Sequence, residues 1–202
     1  MENRGELIVG SALLTIAFLG SSIVLLVFEP AMGFREFSDF FDLEKIVPAL
    51  DSKTWCVGNI LHMLIGIGLM FLASGIHTAK ISNPVLTAAF GFAAAPLFFI
   101  VGMSGFVGDQ ILTHLNKIEE RDAALLGLLV GSRTMVLYAA AALFGSMVLS
   151  ISAQTAFAPL WLRILGVPVG IAAFLFVLVP TPIPLILFVW SAALLFCMRK
   201  DA

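Results

Sequence analysis

The sequence predicts an all-α protein, a six-helix transmembrane bundle with an amphipathic helix in its first outer loop. Three observations predict it. Of 202 residues, 60% are hydrophobic and only 12% charged, against ~25% charged in an ordinary soluble domain. The mean hydropathy is +1.07, and a soluble domain of this size cannot bury that much apolar surface. The aromatic set is dominated by Phe, eighteen against one Tyr, which suits rings facing lipid or packed apolar neighbours. The same numbers exclude disorder, whose chains are poor in apolar residues. A net charge of -2 and a pI near 5.9 argue against a nucleic-acid partner.

A spanning helix needs about 20 mostly apolar residues, and the chain offers six such runs. The first is Leu7 to Phe28, without a charge inside it. Its flank, Met1 to Glu6, is not basic overall and no small-x-small site follows it, so it reads as a retained helix rather than a cleaved signal. The second runs from about Trp55 to Ile76 and the third from Pro84 to about Val107. The fourth, Ala123 to about Ser150, contains one charge, Arg133. The fifth covers about Leu160 to Val179. The sixth covers about Ile183 to Met198, with Pro182 and Pro184 where a helix starts. Residues 1–202 therefore read as a single transmembrane domain. A β-barrel would need strands of about ten residues with alternating polarity, and these runs are long and uniformly apolar.

An even number of spans puts both termini on one side. Arg4, Lys80, Arg163, Arg199 and Lys200 fall on that side, and Arg35, Lys45, Lys53, Lys117 and Arg121 on the other, so the positive-inside count ties. The compact Arg199-Lys200 end beside a span favours cytoplasmic termini. The stretch Pro159 to Gly166 and the closing apolar hairpin resemble those of small bacterial membrane proteins. That likeness covers a minor part of the chain, carries no catalytic motif, and sets the expectation of a bacterial plasma membrane.

Acidic residues collect in the two outer loops: Glu29, Glu36, Asp39, Asp42, Glu44 and Asp51 in the first, Asp109, Glu119, Glu120 and Asp122 in the second. Within the first loop, Phe34, Phe37, Phe41 and Leu43 recur near helical spacing, predicting an interfacial helix over about 33–50. Its two readings are a lid resting on the protein's own helices and a docking surface for a partner. In the second, Ile111, Leu112, Leu115 and Ile118 make an apolar stripe, so the third helix either continues past the membrane or turns at Gly102, Gly105 and Gly108.

Ionisable groups inside a membrane are costly, so each is a candidate for function. Arg133 lies about ten residues into its run, roughly 15 Å along a helix, and Asp109 is its expected partner. Asn59 and His62 share a face of the second span at i, i+3. With His114, Ser104, Thr134 and Tyr138 they fall in the outer half of the six-span arrangement. The set Asn59, His62, Asp109, Arg133 and Tyr138 thus reads either as a small polar pocket for an anion or lipid headgroup, or as a hydrogen-bond network that fixes helix packing. Haem b or quinone near His62 is a further reading. A bis-His iron site is constrained, because His62 and His77 lie roughly 22 Å apart along one helix. Cys56 and Cys197 belong to opposite ends and cannot pair.

Gly127 with Gly131, and Gly166 with Gly170, form small-x-x-x-small faces that suit close helix packing within the chain or against a neighbour. Together with Phe34, Phe37 and Phe41 they are the expected interfaces. The chain carries no phosphate loop, zinc-protease motif or nucleophile elbow, no span holds an Asp, and the two halves show no inverted repeat. The functional expectation is a non-catalytic integral membrane subunit that braces or fills a larger assembly, with lipids and other membrane subunits as partners. The alternatives are a small binding or transport protein using the outer polar pocket, and a redox subunit binding haem or quinone.

Overall fold

The computed structural model describes residues 4–34, 39, 42, 44–45, 49, 53–79, 83–117, 123–154, 157–175 and 183–200. Within the helices, the side chains of residues 54, 109–110, 112–117, 123–127 and 200 stand outside that description. The expected interfacial helix over 33–50 falls mostly beyond it, Phe37 and Phe41 included.

The described chain is helical and holds no strand. Helix α1 is Arg4–Ile23. It runs without a break into a π-helical turn, Val24–Phe28, and a last short helical piece, Glu29–Ala31. Helix α2 is Lys53–His77, α3 is Pro84–Lys117 and α4 is Ala123–Ala153. Two shorter helices close the chain, α5 at Leu160–Phe174 and α6 at Ile183–Lys200. Four stretches are long and apolar enough to cross a membrane: Arg4–Ala31, Trp55–His77, Pro84–Gly108 and Leu128–Ala153. The two remaining apolar helices are shorter, and α5, at 15 residues, rises only about 22 Å.

Prolines set several boundaries. Pro84 opens α3, where its missing N–H costs nothing. Pro159 is extended at ψ 155° and precedes α5; its carbonyl takes the first N–H groups, those of Leu162 and Arg163. Pro96 and Pro168 lie inside α3 and α5, positions that apolar helices tolerate when neighbours re-satisfy the freed carbonyl. The third helix does not turn at its glycines. It continues through Gly102, Gly105 and Gly108 to Lys117 as one 34-residue helix.

Each helix packs against the next in the chain, and α6 packs back on α1, so the bundle is a ring in chain order. Close backbone approach holds the seams. A Cβ on Gly10 of α1 would lie 2.5 Å from the Leu72 amide nitrogen of α2, and one on Gly66 would lie 2.7 Å from the Ala95 carbonyl of α3. Gly145 of α4 meets the Gly170 carbonyl of α5 in the same way. The centre of the ring is aromatic and dry. Phe18 of α1 tilts against Phe144 of α4 with ring centroids 5.6 Å apart, and Phe144 meets Trp190 of α6 edge-on at 6.0 Å. Leu14, Leu69, Leu72 and Met147 pack around them with no exposure.

Two arginines fasten one end of the ring. Arg4 donates from Nε and Nη2 to the carbonyl of Met198, at 3.2 and 2.7 Å. Arg163 donates from Nε to the carbonyl of Ser152 at 2.9 Å. Each places a cation on the orphan carbonyls of a helix C-terminus, where the helix dipole is negative. The first also brings the two ends of the chain together, as an even number of antiparallel helices requires.

Candidate functional site

The opposite end of the ring holds the polar cluster. Asn59 sits one turn and a half into α2 and is almost wholly buried, at 1% exposure. It lies where α3 comes closest: a Cβ on Gly102 would meet the Asn59 carbonyl at 2.5 Å, and one on Gly105 would run into the Asn59 side-chain amide. Gly102 therefore lets the two backbones approach, and Gly105 leaves the space the amide occupies. From the far side, Arg133 of α4 donates from Nη2 to Asn59 Oδ1 at 2.5 Å. The short charge-assisted bond joins α2 to α4 across the edge of α3.

His62 is one turn further along α2, half-buried, with Nδ1 2.9 Å from the Gly58 carbonyl. A carbonyl only accepts, so Nδ1 carries the proton in this bond. The guanidinium of Arg133 is near enough for its charge to act on His62 and also on Glu29, at the end of the first helical stretch. Sequence reasoning missed Glu29 as a member of the cluster. In the sequence it is one acidic loop residue among several.

The remaining expected members are placed as follows. Ser104 and Thr134 spend their hydroxyls on carbonyls of their own helices, Val101 at 3.0 Å and Val130 at 2.8 Å. Tyr138 is half-buried and five residues beyond Arg133, which turns it about 140° away around the helix. Asp109 and His114 lie on α3, but their side chains are outside the described residues. His77 ends α2 at the opposite end of the ring. Among the described residues, no group of three His, Cys, Asp or Glu side chains is arranged to hold a metal ion. Cys56 is exposed, Cys197 is buried, and neither forms a disulfide.

The expected interface residues separate into two kinds. Gly166 and Gly170 are buried inside the chain: the first packs against Ser152 and Trp190, the second against Leu149. Gly131 faces open space, with nothing within 4 Å of where its Cβ would be. Around it, Leu128 and Met135 are 68% and 70% exposed. Gly127, the other half of that pair, has no described surroundings.

Phe34 is 3% exposed and stacks on Trp55 with centroids 5.7 Å apart. Ala49 joins it, and Met32, Leu129 and Val130 pack around them as a small second core. At these described points the first outer loop rests on the protein's own helices. No protein-family model, no curated protein and no solved structure matches the chain.

Proposed function

We propose that the chain is a six-span integral membrane protein that works without catalysis, as a subunit bracing a larger membrane assembly. The observation that carries this reading is how the cluster spends its polar groups. Asn59, the most deeply buried member, is engaged by Arg133 from a different helix. His62 is bonded to its own helix. Such bonds stabilise helix association in lipid by roughly 0.6–2 kcal/mol each, which is a structural rather than a chemical use of costly residues.

The outer surface supports the same reading. Large apolar side chains point outward from every helix, among them Ile16, Ile67, Val85, Met135, Ile164 and Phe196. The uncovered strip of α4, with Gly131 between the exposed Leu128 and Met135, offers a neighbouring helix an apolar surface with a notch for close approach. All six helices crossing, both termini cytoplasmic and a bacterial plasma membrane as the site complete the proposal; the joined chain ends support an even number of crossings.

Extraction in mild detergent followed by native mass measurement tests it. Other membrane chains should travel with the protein. A stable lone monomer from native membranes contradicts it.

A second reading rests on one observation: Arg133 is only half-buried, so a binding protein for an anion or lipid headgroup is the alternative. Arg133→Leu separates the two. Loss of ligand binding with the fold intact favours binding, and loss of the fold favours bracing.

A further inference from the structure

Arg133 stands at a depth where lipid phosphates lie. At the inner end of the bundle, Arg163 of α5 donates to the carbonyl of Ser152 of α4, and Trp161 beside it is exposed. An exposed Trp next to an Arg at a helix start is the chemistry of a membrane–water interface. Arg133 is nineteen positions from Ser152 along α4, a rise of roughly 28 Å, and the hydrocarbon core of a bilayer is about 30 Å thick. On α2, Asn59 is eighteen positions from His77, roughly 27 Å. With the bundle set in a bilayer, the Asn59–Arg133 bond therefore lies at the outer hydrocarbon boundary.

The surface around Arg133 is uncovered. From Leu128 to Ala139 no residue of α4 is buried, whereas Ala140, Phe144, Met147, Val148 and Ile151 further along the helix are. Leu128, Ser132, Met135 and Ala139 are exposed, and their spacing of three and four puts them on one face. Arg133 flanks that face and is itself half-buried. The hydroxyls of Ser132 and Thr134 are spent on the carbonyls of Leu129 and Val130. The guanidinium is thus the charged group beside this strip of α4, and its bond to Asn59 Oδ1 holds it in place.

From this placement we infer that the Arg133 side of α4 seats one phospholipid of the outer leaflet. Its phosphate oxygens accept from the guanidinium, and an acyl chain runs inward along Met135 and Ala139. The argument for this occupant is charge complementarity at a fixed depth. A partner helix over the strip would bury a guanidinium and would need a carboxylate of its own to meet the cost. A lipid brings its phosphate to this depth already, and a planar guanidinium held by Asn59 matches it in a bidentate way. The inference rests on the binding reading of the site and names its ligand as a lipid rather than a free anion.

Native mass spectrometry of the full-length protein in detergent micelles tests it, with three probes titrated separately: dioleoylphosphatidylglycerol, dioleoylglycerol, which lacks the phosphate, and glycerol 3-phosphate, which lacks the chains. The wild type should retain one dioleoylphosphatidylglycerol at least about tenfold more tightly than either other probe. Arg133→Gln keeps an N–H donor for Asn59 but drops the charge. It should weaken that lipid about tenfold, which corresponds to about 1.4 kcal/mol, and leave dioleoylglycerol unchanged. Glu29, which the Arg133 charge also reaches, repels a phosphate, so Glu29→Gln should hold the lipid at least as tightly as the wild type. Arg163→Gln, at the other end of the bundle, should change nothing. If Arg133→Gln fails to fold, a phosphatidylglycerol with a diazirine in its acyl chain decides on the wild type: adducts that excess unlabelled lipid suppresses should fall within Leu128–Ala139. Such adducts elsewhere overturn the inference. So does equal retention of dioleoylglycerol, an unchanged affinity in Arg133→Gln, or an equal loss in Arg163→Gln. Glycerol 3-phosphate bound as tightly as the lipid overturns it while the binding reading stands; no binding of any probe overturns both.

Discussion

The guanidinium of Arg4 and the carbonyl of Met198, 194 positions apart in the sequence, are joined by two hydrogen bonds, the shorter 2.7 Å. The contact lies on the seam where α6 packs back on α1 and closes the ring. It pairs a cation with the C-terminus of α6 and ties that helix to the start of α1.

Arg4→Ala should therefore loosen the seam between α1 and α6 more than any other. Hydrogen bonds to charged groups contribute about 1.5–3 kcal/mol, and the half-buried site puts the expected loss at about 1–2 kcal/mol. Reversible unfolding in mixed micelles measures it. Arg4→Lys should recover part of the loss, since it keeps the charge but not the two-pronged geometry.

The bond between Arg133 and Asn59 predicts non-additive mutants. Asn59→Ala and Arg133→Leu should each destabilise by about 1–3 kcal/mol, because each leaves a buried or half-buried polar partner unsatisfied. The double mutant should cost less than the sum by about 1–2 kcal/mol. A double-mutant cycle in the same micelle system provides the check; strict additivity would mean that the bond contributes nothing.

Glycines on the same bundle should respond in opposite directions. Gly105→Ala drives a methyl into the Asn59 amide, with an expected cost of about 1–3 kcal/mol for an overpacked site. Gly131→Ala meets nothing and should stabilise the isolated protein by about 0.4–1 kcal/mol through the backbone. In the assembled state, Gly131→Leu should release partner chains while helicity by circular dichroism is unchanged. That result would place the neighbour on this strip of α4.

Trp190 offers a fourth check. Its ring is fully buried, and its Nε1 has no hydrogen-bond partner among the described residues. Trp190→Phe removes an N–H that is poorly accommodated, at the expense of some ring area, and should change stability by less than about 1 kcal/mol. Trp190→Ala leaves a cavity against Phe144 and should cost about 3–5 kcal/mol. Thermal unfolding of the two variants tells them apart.

The helices were legible in the sequence because lipid imposes a coarse rule: twenty apolar residues make a span. The boundaries at Trp55, Pro84 and Ala123 follow from where charge, Pro and Asn interrupt the apolar runs. Asn59, His62 and Arg133 were legible as a group because polar side chains are scarce in such runs. Their pairing was not. Charge logic alone looked to Asp109, whose side chain lies outside the described residues; the bond that is described runs to the neutral amide of Asn59, which fits where Gly105 leaves room for it. Glu29 stayed hidden because it ends the first apolar run among several acidic residues and nothing in the sequence sets it apart from them. The glycine pairs read alike in the sequence. Only packing shows that Gly166 and Gly170 are spent internally while Gly131 is not.

Chain-order adjacency also orders assembly in time. As helices leave the ribosome, each finds its partner already inserted, so five of the six seams are local and form early. The sixth waits for the last helix. Until Met198 arrives, Arg4 lacks its carbonyl partner and α1 keeps an unfilled flank, so a nascent chain halted before α6 would display that flank to any chaperone or foreign helix in the same bilayer.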